Sequence, residues 1–249
     1  MIKRNYYKIV RIFPDPSSYF YIKNETMSEE EFGLFIFNTG RLSELTLDYS
    51  FDKVNWTRVT EHNYYNIRIP ADGYMYLRNT TGVFGALDTN AFIIYNNISI
   101  GGDIRTLFNY TDVESVTKIP DYGFNSPFTF MNDSKCIDIS NLSFRGITEI
   151  GNYGLKGAFS SYFTGTKGVD LRDITTLGEG ALNTLYYNNP TLTEVYAPNV
   201  STWDSNKTSQ WLYGAASTGV VYKPSTLTIP TYSESGIPYN WTTQDYPVK

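Results

Sequence analysis

The sequence predicts a mainly β protein of two unlike halves: an N-terminal β-sandwich followed by a short repeat solenoid. Three observations carry that reading. Apolar residues alternate over short runs between turn signals in the first half, and one pattern recurs four times in the second. Aromatic residues make up 16% of the chain, a bias that favours strands and contact surfaces over helices. Hydrophobic residues at 41% against 18% charged suit a folded chain, and 249 residues suffice for one large domain or two ordinary ones.

Residues 1–30 are read as an attachment segment. Its first part mixes Lys3, Arg4, Lys8 and Arg11 with Tyr6, Tyr7, Phe13 and Tyr19, and such a segment gains order by packing on a partner. Ser28-Glu29-Glu30-Glu31 has capping-box spacing, but the Phe-rich run after it favours a charged loop leading into a strand.

Residues 31–97 are read as the sandwich. Phe32-Gly-Leu-Phe-Ile-Phe37 has strand length, and Leu45-Thr-Leu-Asp-Tyr-Ser-Phe51 alternates, which puts Leu45, Leu47, Tyr49 and Phe51 on one face. The polar turn Asp52-Lys-Val-Asn55 returns into Trp56-Thr-Arg-Val59, a hairpin. Asn66-Ile-Arg-Ile69 and Tyr74-Met-Tyr-Leu-Arg78 flank Pro70-Ala-Asp-Gly73, which predicts a second hairpin. Ala91-Phe-Ile-Ile-Tyr95 and Ile98-Ser-Ile100 add strands at the junction.

Residues 98–249 repeat. Val116-Thr-Lys-Ile119, Ile147-Thr-Glu-Ile150, Ile174-Thr-Thr-Leu177 and Val200-Ser-Thr-Trp203 begin 31, 27 and 26 residues apart. The first three continue alike, as Pro120-Asp-Tyr-Gly-Phe124, Gly151-Asn-Tyr-Gly-Leu155 and Gly178-Glu-Gly-Ala-Leu182. Short strands sit between them at Cys136-Ile-Asp-Ile139, Val169-Asp-Leu171, Val195-Tyr-Ala-Pro198 and Val221-Tyr-Lys-Pro224. One strand and one bend cannot bury an apolar face alone, so neighbouring repeats stack into a continuous core. Gly154, Gly180 and Ala181 allow close approach at the bends, and segments such as Tyr186-Tyr-Asn-Asn-Pro190 form loops on one edge.

These repeats resemble the BspA-like leucine-rich-repeat family, whose units read apolar-Thr-x-Ile-Gly-x-x-Ala-Phe. Ile147-Thr-Glu-Ile-Gly-Asn-Tyr-Gly-Leu155 matches that form best, followed by Ile174-Thr-Thr-Leu-Gly-Glu-Gly-Ala-Leu182. The resemblance covers residues 98–249. Its C-terminal cap, from Val221-Tyr-Lys-Pro-Ser225 through Gly236-Ile-Pro-Tyr-Asn-Trp-Thr242, is similar to the closing segment of such proteins in gut anaerobes and their tailed (crAss-like) phages. Leu47-Asp-Tyr-Ser-Phe-Asp-Lys-Val-Asn-Trp56 and Tyr74-Met-Tyr-Leu-Arg-Asn79 resemble the β-domain that accompanies them. Here the repeats are few, degenerate and nearly free of cysteine.

The family implies a non-enzymatic structural and adhesive role and transfers no catalytic residue. The N-terminus shows no uninterrupted apolar core of a secretion signal, so the expectation is a virion component assembled in the host cytoplasm: a fibre or capsid-decoration subunit, on head or tail. Its partners would be other virion proteins, further copies in a trimer, and a host-surface glycan or protein. The alternatives are a BspA-like adhesin on a bacterial cell surface and a carbohydrate-active enzyme.

Composition bears on other classes. A net charge of -5 and a pI near 5.0 argue against nucleic-acid binding, and no apolar run is long enough for a membrane-spanning helix. One cysteine and one histidine exclude a disulfide framework and Cys-based or multi-His metal sites, so neither metal nor cofactor is expected. Asp170, Asp173 and Glu179 could be imagined as a glycosidase pair. Asp170 alternates with Leu171, however, so solvent exposure accounts for it. His62 reads as a surface-turn residue and Cys136 as a small buried one. Gly101-Gly102 lacks the lysine of a phosphate loop. The candidate binding residues are four aromatics read as exposed, Tyr186, Tyr187, Trp211 and Tyr213, while Trp203 occupies a repeat core position.

Overall fold

A computed structural model describes residues 19–26, 46–59, 67–80, 92–131, 133–231 and 233–247, and it is mainly β. The first half contributes β1 (Phe20–Asn24), β2 (Asp48–Ser50), β3 (Thr57–Arg58), β4 (Tyr74–Arg78), β5 (Phe92–Ile94) and β6 (Ile98–Asp103). A single helical turn, α1 (Thr106–Asn109), leads into β7 (Lys118–Ile119), β8 (Phe128–Phe130), β9 (Cys136–Ser143) and β10 (Glu149–Ile150). Then follow β11 (Lys167–Asp170), β12 (Thr176–Leu177), β13 (Glu194–Tyr196), a second helical turn α2 (Ser205–Thr208), β14 (Gly219–Lys223) and β15 (Trp241–Asp245).

One six-stranded sheet, in the order β3-β2-β4-β1-β6-β9, joins the two halves. Strand β1 runs antiparallel to both β4 and β6, aligning Ile22 with Met75 and with Ile100. Phe20 and Ile22 are fully buried, so residues 20–24 of the stretch read as an attachment segment form a central strand. Residues 1–18 lie outside the described residues, as do Ser28-Glu-Glu-Glu31, Phe32-Gly-Leu-Phe-Ile-Phe37 and His62. Strands β6 and β9, both within the stretch read as repeats, pair in parallel inside this sheet, and β5 pairs with β8 in the same sense. The buried apolar residues form one continuous cluster from Phe20 to Trp241.

The first expected hairpin is present, with β2 antiparallel to β3. Its faces differ from the alternation pattern: Leu47 is buried, but so are Asp48 and Ser50, whereas Phe51 is exposed. The Asp48 carboxylate is held by Arg58 and, at 3.1 Å, by Arg78, and this pairing makes its burial tolerable. The second hairpin is half right. The Gly73 N–H closes the turn on the Pro70 carbonyl at 2.9 Å, yet residues 67–69 form no strand. The Asn24 side-chain amide donates to the Ile69 and Pro70 carbonyls, and β4 pairs with β1 and β2 instead.

The repeats stack in the expected register. In one parallel ladder Ile150 aligns with Ile119 and Leu177; in another, β11-β13-β14-β15, Val195 aligns with Val221. The fourth repeat departs: Val200-Ser-Thr-Trp203 forms no strand, and the partly buried Trp203 donates its indole N–H to the Ser235 carbonyl.

Between the strands the chain advances as a ribbon of turns with φ positive at every fourth residue: Tyr153, Gly157 and Ser161 in one repeat, Gly180, Thr184 and Asn188 in the next. Alternate amides bond to the residue three back, as Gly154, Lys156 and Ala158 do. The others reach the next repeat, as Tyr153 to Glu179, Leu155 to Ala181, Gly157 to Asn183, Phe159 to Leu185 and Ser161 to Tyr187. The spacing is tight. A Cβ on Gly178 would lie 2.6 Å from the Asn152 nitrogen and 2.7 Å from the Gly151 carbonyl carbon, both backbone atoms.

Denaturant titration tests this register. Ile150→Ala empties a fully buried rung position and should cost about 2–5 kcal/mol. Gly178→Ala forces backbone apart and should cost about 1–3 kcal/mol. Glu179→Ala, at an exposed position, should stay within about 0.5 kcal/mol.

Candidate functional site

Surface aromatics fall into two kinds, those whose ring faces are already covered by cations and those whose faces are not. The outer face of the six-stranded sheet belongs to the first kind. Along β1 and β4 Phe20, Ile22, Met75 and Leu77 point inward, which leaves Tyr21, Lys23, Tyr74, Tyr76 and Arg78 on the other side. Tyr74 and Tyr76 stack at 5.9 Å, Lys23 lies over Tyr74 and Lys53 over Tyr76 at 4.6 Å. The Arg78 guanidinium sits 4.0 Å from the Trp56 ring and 4.2 Å from that of Tyr110. Tyr21 lies across Gly101, where a side chain would collide with its hydroxyl. Burial, with Tyr74 and Asp138 nearby, pushes the Tyr21 hydroxyl up to about 12. Sequence reasoning missed this face. Its signal was present in Tyr19-Phe-Tyr-Ile-Lys23 and Tyr74-Met-Tyr-Leu-Arg78, where Phe20, Ile22, Met75 and Leu77 alternate with tyrosines and cations.

Two tyrosine pairs on the repeats are covered in the same way. Tyr122 stacks on Tyr153 at 5.2 Å, with Lys156 over the latter. Tyr196 stacks on Tyr222 at 4.7 Å under Arg172, whose guanidinium also grips Asp170.

Tyr187 and Tyr213 differ. Their rings stack at 5.4 Å, 12° from parallel, and among the described residues no cation covers either. Each sits one residue before a positive-φ position, Asn188 or Gly214, and the Asn188 amide bonds to the Tyr213 carbonyl at 2.6 Å. The turn ribbon therefore aims both side chains outward, and Tyr213 is 52% exposed.

The other two expected binding aromatics are corrected by burial. Tyr186 and Trp211 are 1% and 0% exposed. The ribbon turns Tyr186 inward, stacked on Phe159, with its hydroxyl accepting the Val169 N–H at 2.9 Å. Trp211 packs against Trp203 and donates its indole N–H to the Gly236 carbonyl at 2.8 Å. Both satisfy buried polar groups at the repeat core.

Asp170 is engaged by Arg172, and Glu179 accepts the Tyr153 hydroxyl at 3.1 Å, each beside a different ladder. Cys136 is fully buried, and burial drives its thiol well above the ordinary range. Gly101 and Gly102 give room to Tyr21 and to the Tyr19 carbonyl within the first sheet. Among the described residues no three of His, Cys, Asp and Glu converge, and no helix is long and apolar enough to cross a membrane.

A scan against protein-family models and searches of curated proteins and of solved structures return no match to this chain.

Two outcomes test these assignments. Tyr186→Phe strands the buried Val169 N–H and should cost about 1–3 kcal/mol, measured by thermal unfolding. Tyr21 keeps its proton to about pH 12 in the fold but only to its ordinary 10.0 once unfolded. Its contribution is therefore complete below pH 10 and lost as pH rises toward 12. Tyr21→Phe should flatten the decline of stability over that window, followed by circular dichroism.

Proposed function

We propose that this chain is a non-enzymatic structural and adhesive protein of a tailed-phage particle, a fibre or decoration subunit that contacts a glycan or protein on the host surface. In this reading the second half is a BspA-like leucine-rich-repeat solenoid serving as a rigid mount, and the first half is the β-sandwich that accompanies it. The phage setting rests on the resemblance of Ile147-Thr-Glu-Ile-Gly151 and of the closing segment to proteins of gut anaerobes and their phages. The adhesive role rests on one observation, the uncovered Tyr187–Tyr213 pair on a stack of hydrogen-bonded turns.

A tyrosine ring held by stacked backbone offers a flat apolar face and a hydroxyl at little cost in side-chain entropy. That combination suits the C–H face of a sugar or a protein contact. On Tyr74, Tyr76 and Tyr153 a lysine already lies over the ring and would compete for such a contact.

Mass spectrometry of purified particles should find the protein in fixed stoichiometry to capsid protein. Particles carrying Tyr213→Ser should form in normal yield but adsorb to host cells about tenfold less well, the effect of losing roughly 1.4 kcal/mol of contact. Absence of the protein from purified particles overturns the virion reading, and unchanged adsorption overturns the assigned contact.

A further inference from the structure

Strand β15 closes the β11-β13-β14-β15 ladder, and among the described residues no strand lies beyond it. The opposite end of the ladder is occupied: β11 lies against β9, and Cys136 bridges to Phe163. Among the described residues the ladder thus has one free edge. Trp241 fixes it from inside, buried and donating its indole N–H to the Ala216 carbonyl at 2.7 Å.

The register shows which backbone groups the edge offers. The Tyr246 N–H bonds to the Lys223 carbonyl, and Asp245 aligns with Lys223. Parallel pairing uses alternate residues, so Thr242, Gln244 and Tyr246 bond inward while the N–H and C=O of Thr243 and Asp245 point outward. Thr242, Thr243, Gln244 and Asp245 are all exposed, and neither lysine nor proline blunts the strand between Trp241 and Asp245. Folded proteins ordinarily guard such an edge.

We propose that a second copy of this chain occupies this edge, with the two β15 strands antiparallel about a two-fold axis at Gln244. That register opposes Thr243 of each copy to Asp245 of the other, so both outward pairs form and four backbone hydrogen bonds result. A hydroxyl faces a carboxylate, the Gln244 amides face each other, and no like charges stand directly opposite. An apolar extended peptide would find no pockets among Thr242, Thr243, Gln244 and Asp245. Among the described residues this ladder offers one edge, and one edge pairing with its own copy closes into a pair, whereas a ladder open at both edges would propagate a filament. The inference is independent of the phage setting, and it makes the pair, not the trimer implied by the family resemblance, the unit of self-association. A five-strand-residue contact is smaller than a stable interface, so pairing appears at high concentration, such as that of a multi-copy assembly.

Sedimentation velocity on the full chain from about 1 µM to 1 mM tests this, the upper range being chosen for a contact of this size. The mass should rise from 28.4 kDa toward twice that value. Gln244→Lys and Gln244→Glu, each placing like charges on the axis, should remain monomeric, and an equimolar mixture of the two should recover the pair. Thr243→Pro removes an outward donor unused in the fold and should also prevent pairing. Should that variant lower the melting temperature, the charge-exchange pair alone decides. A wild-type chain that stays monomeric at the highest concentration overturns the proposal. So does a trimer, or pairing indifferent to the Gln244 charges.

Discussion

Every second amide in the turn ribbons must find its carbonyl in the next repeat. Residues 153–161 and 180–188 hold no helix that could satisfy its own backbone, and a buried amide without a partner costs more than most side-chain contacts supply. The alternation seen from Tyr153 to Ser161, with one amide bonding three residues back and the next bonding to the following repeat, is the solution adopted here. It requires a positive φ at every fourth residue. Glycine meets that requirement without strain at Gly157, Gly180 and Gly214, while Tyr153, Thr184 and Asn188 carry a steric cost that the inter-repeat bonds offset. Side-chain direction follows from the same rule. Neighbours Tyr186 and Tyr187 are chemically identical, yet the ribbon sends the first into the core and the second to the surface.

The six-stranded sheet holds the first end of this stack. Strand β9 pairs with β6 on one side and lies against β11 on the other, so the first sheet passes directly into the repeat ladder. Two short motifs recur at that transition. Asp103-Ile-Arg105 ends β6 and Asp170-Leu-Arg172 ends β11. In each, the aspartate accepts both the backbone N–H and the guanidinium of the arginine two residues on. At Asp103 and Arg105 the pair is almost fully buried and further tied to Glu114, the fully bonded geometry that makes a buried charge pair tolerable. The rings of the outer sheet face are also engaged by charge, with Lys23 over Tyr74 and Lys53 over Tyr76.

Legibility in the sequence followed the range of the interactions. The repeat register was readable because stacking is periodic: Val195 and Val221 are aligned as their spacing requires, and the rungs at Ile119, Ile150 and Leu177 coincide. The central place of β1 was not readable, since the burial of Phe20 and Ile22 depends on partners near Met75 and Ile100, far along the chain. Of the candidate aromatics, Tyr187 and Tyr213 came out together at the surface. Tyr186 and Trp211 did not, because residue type alone carries no record of which way a four-residue turn faces. The buried Asp48 was missed because its two arginine partners lie on different strands.

Through-hydrogen-bond scalar couplings, measured on the deuterated, isotopically labelled chain, test the inter-repeat bonding most directly. The account predicts couplings from the Tyr153, Leu155 and Gly157 amide nitrogens to the carbonyl carbons of Glu179, Ala181 and Asn183. Couplings from those amides to carbonyls within their own repeat, or to a register shifted by one residue, would contradict it.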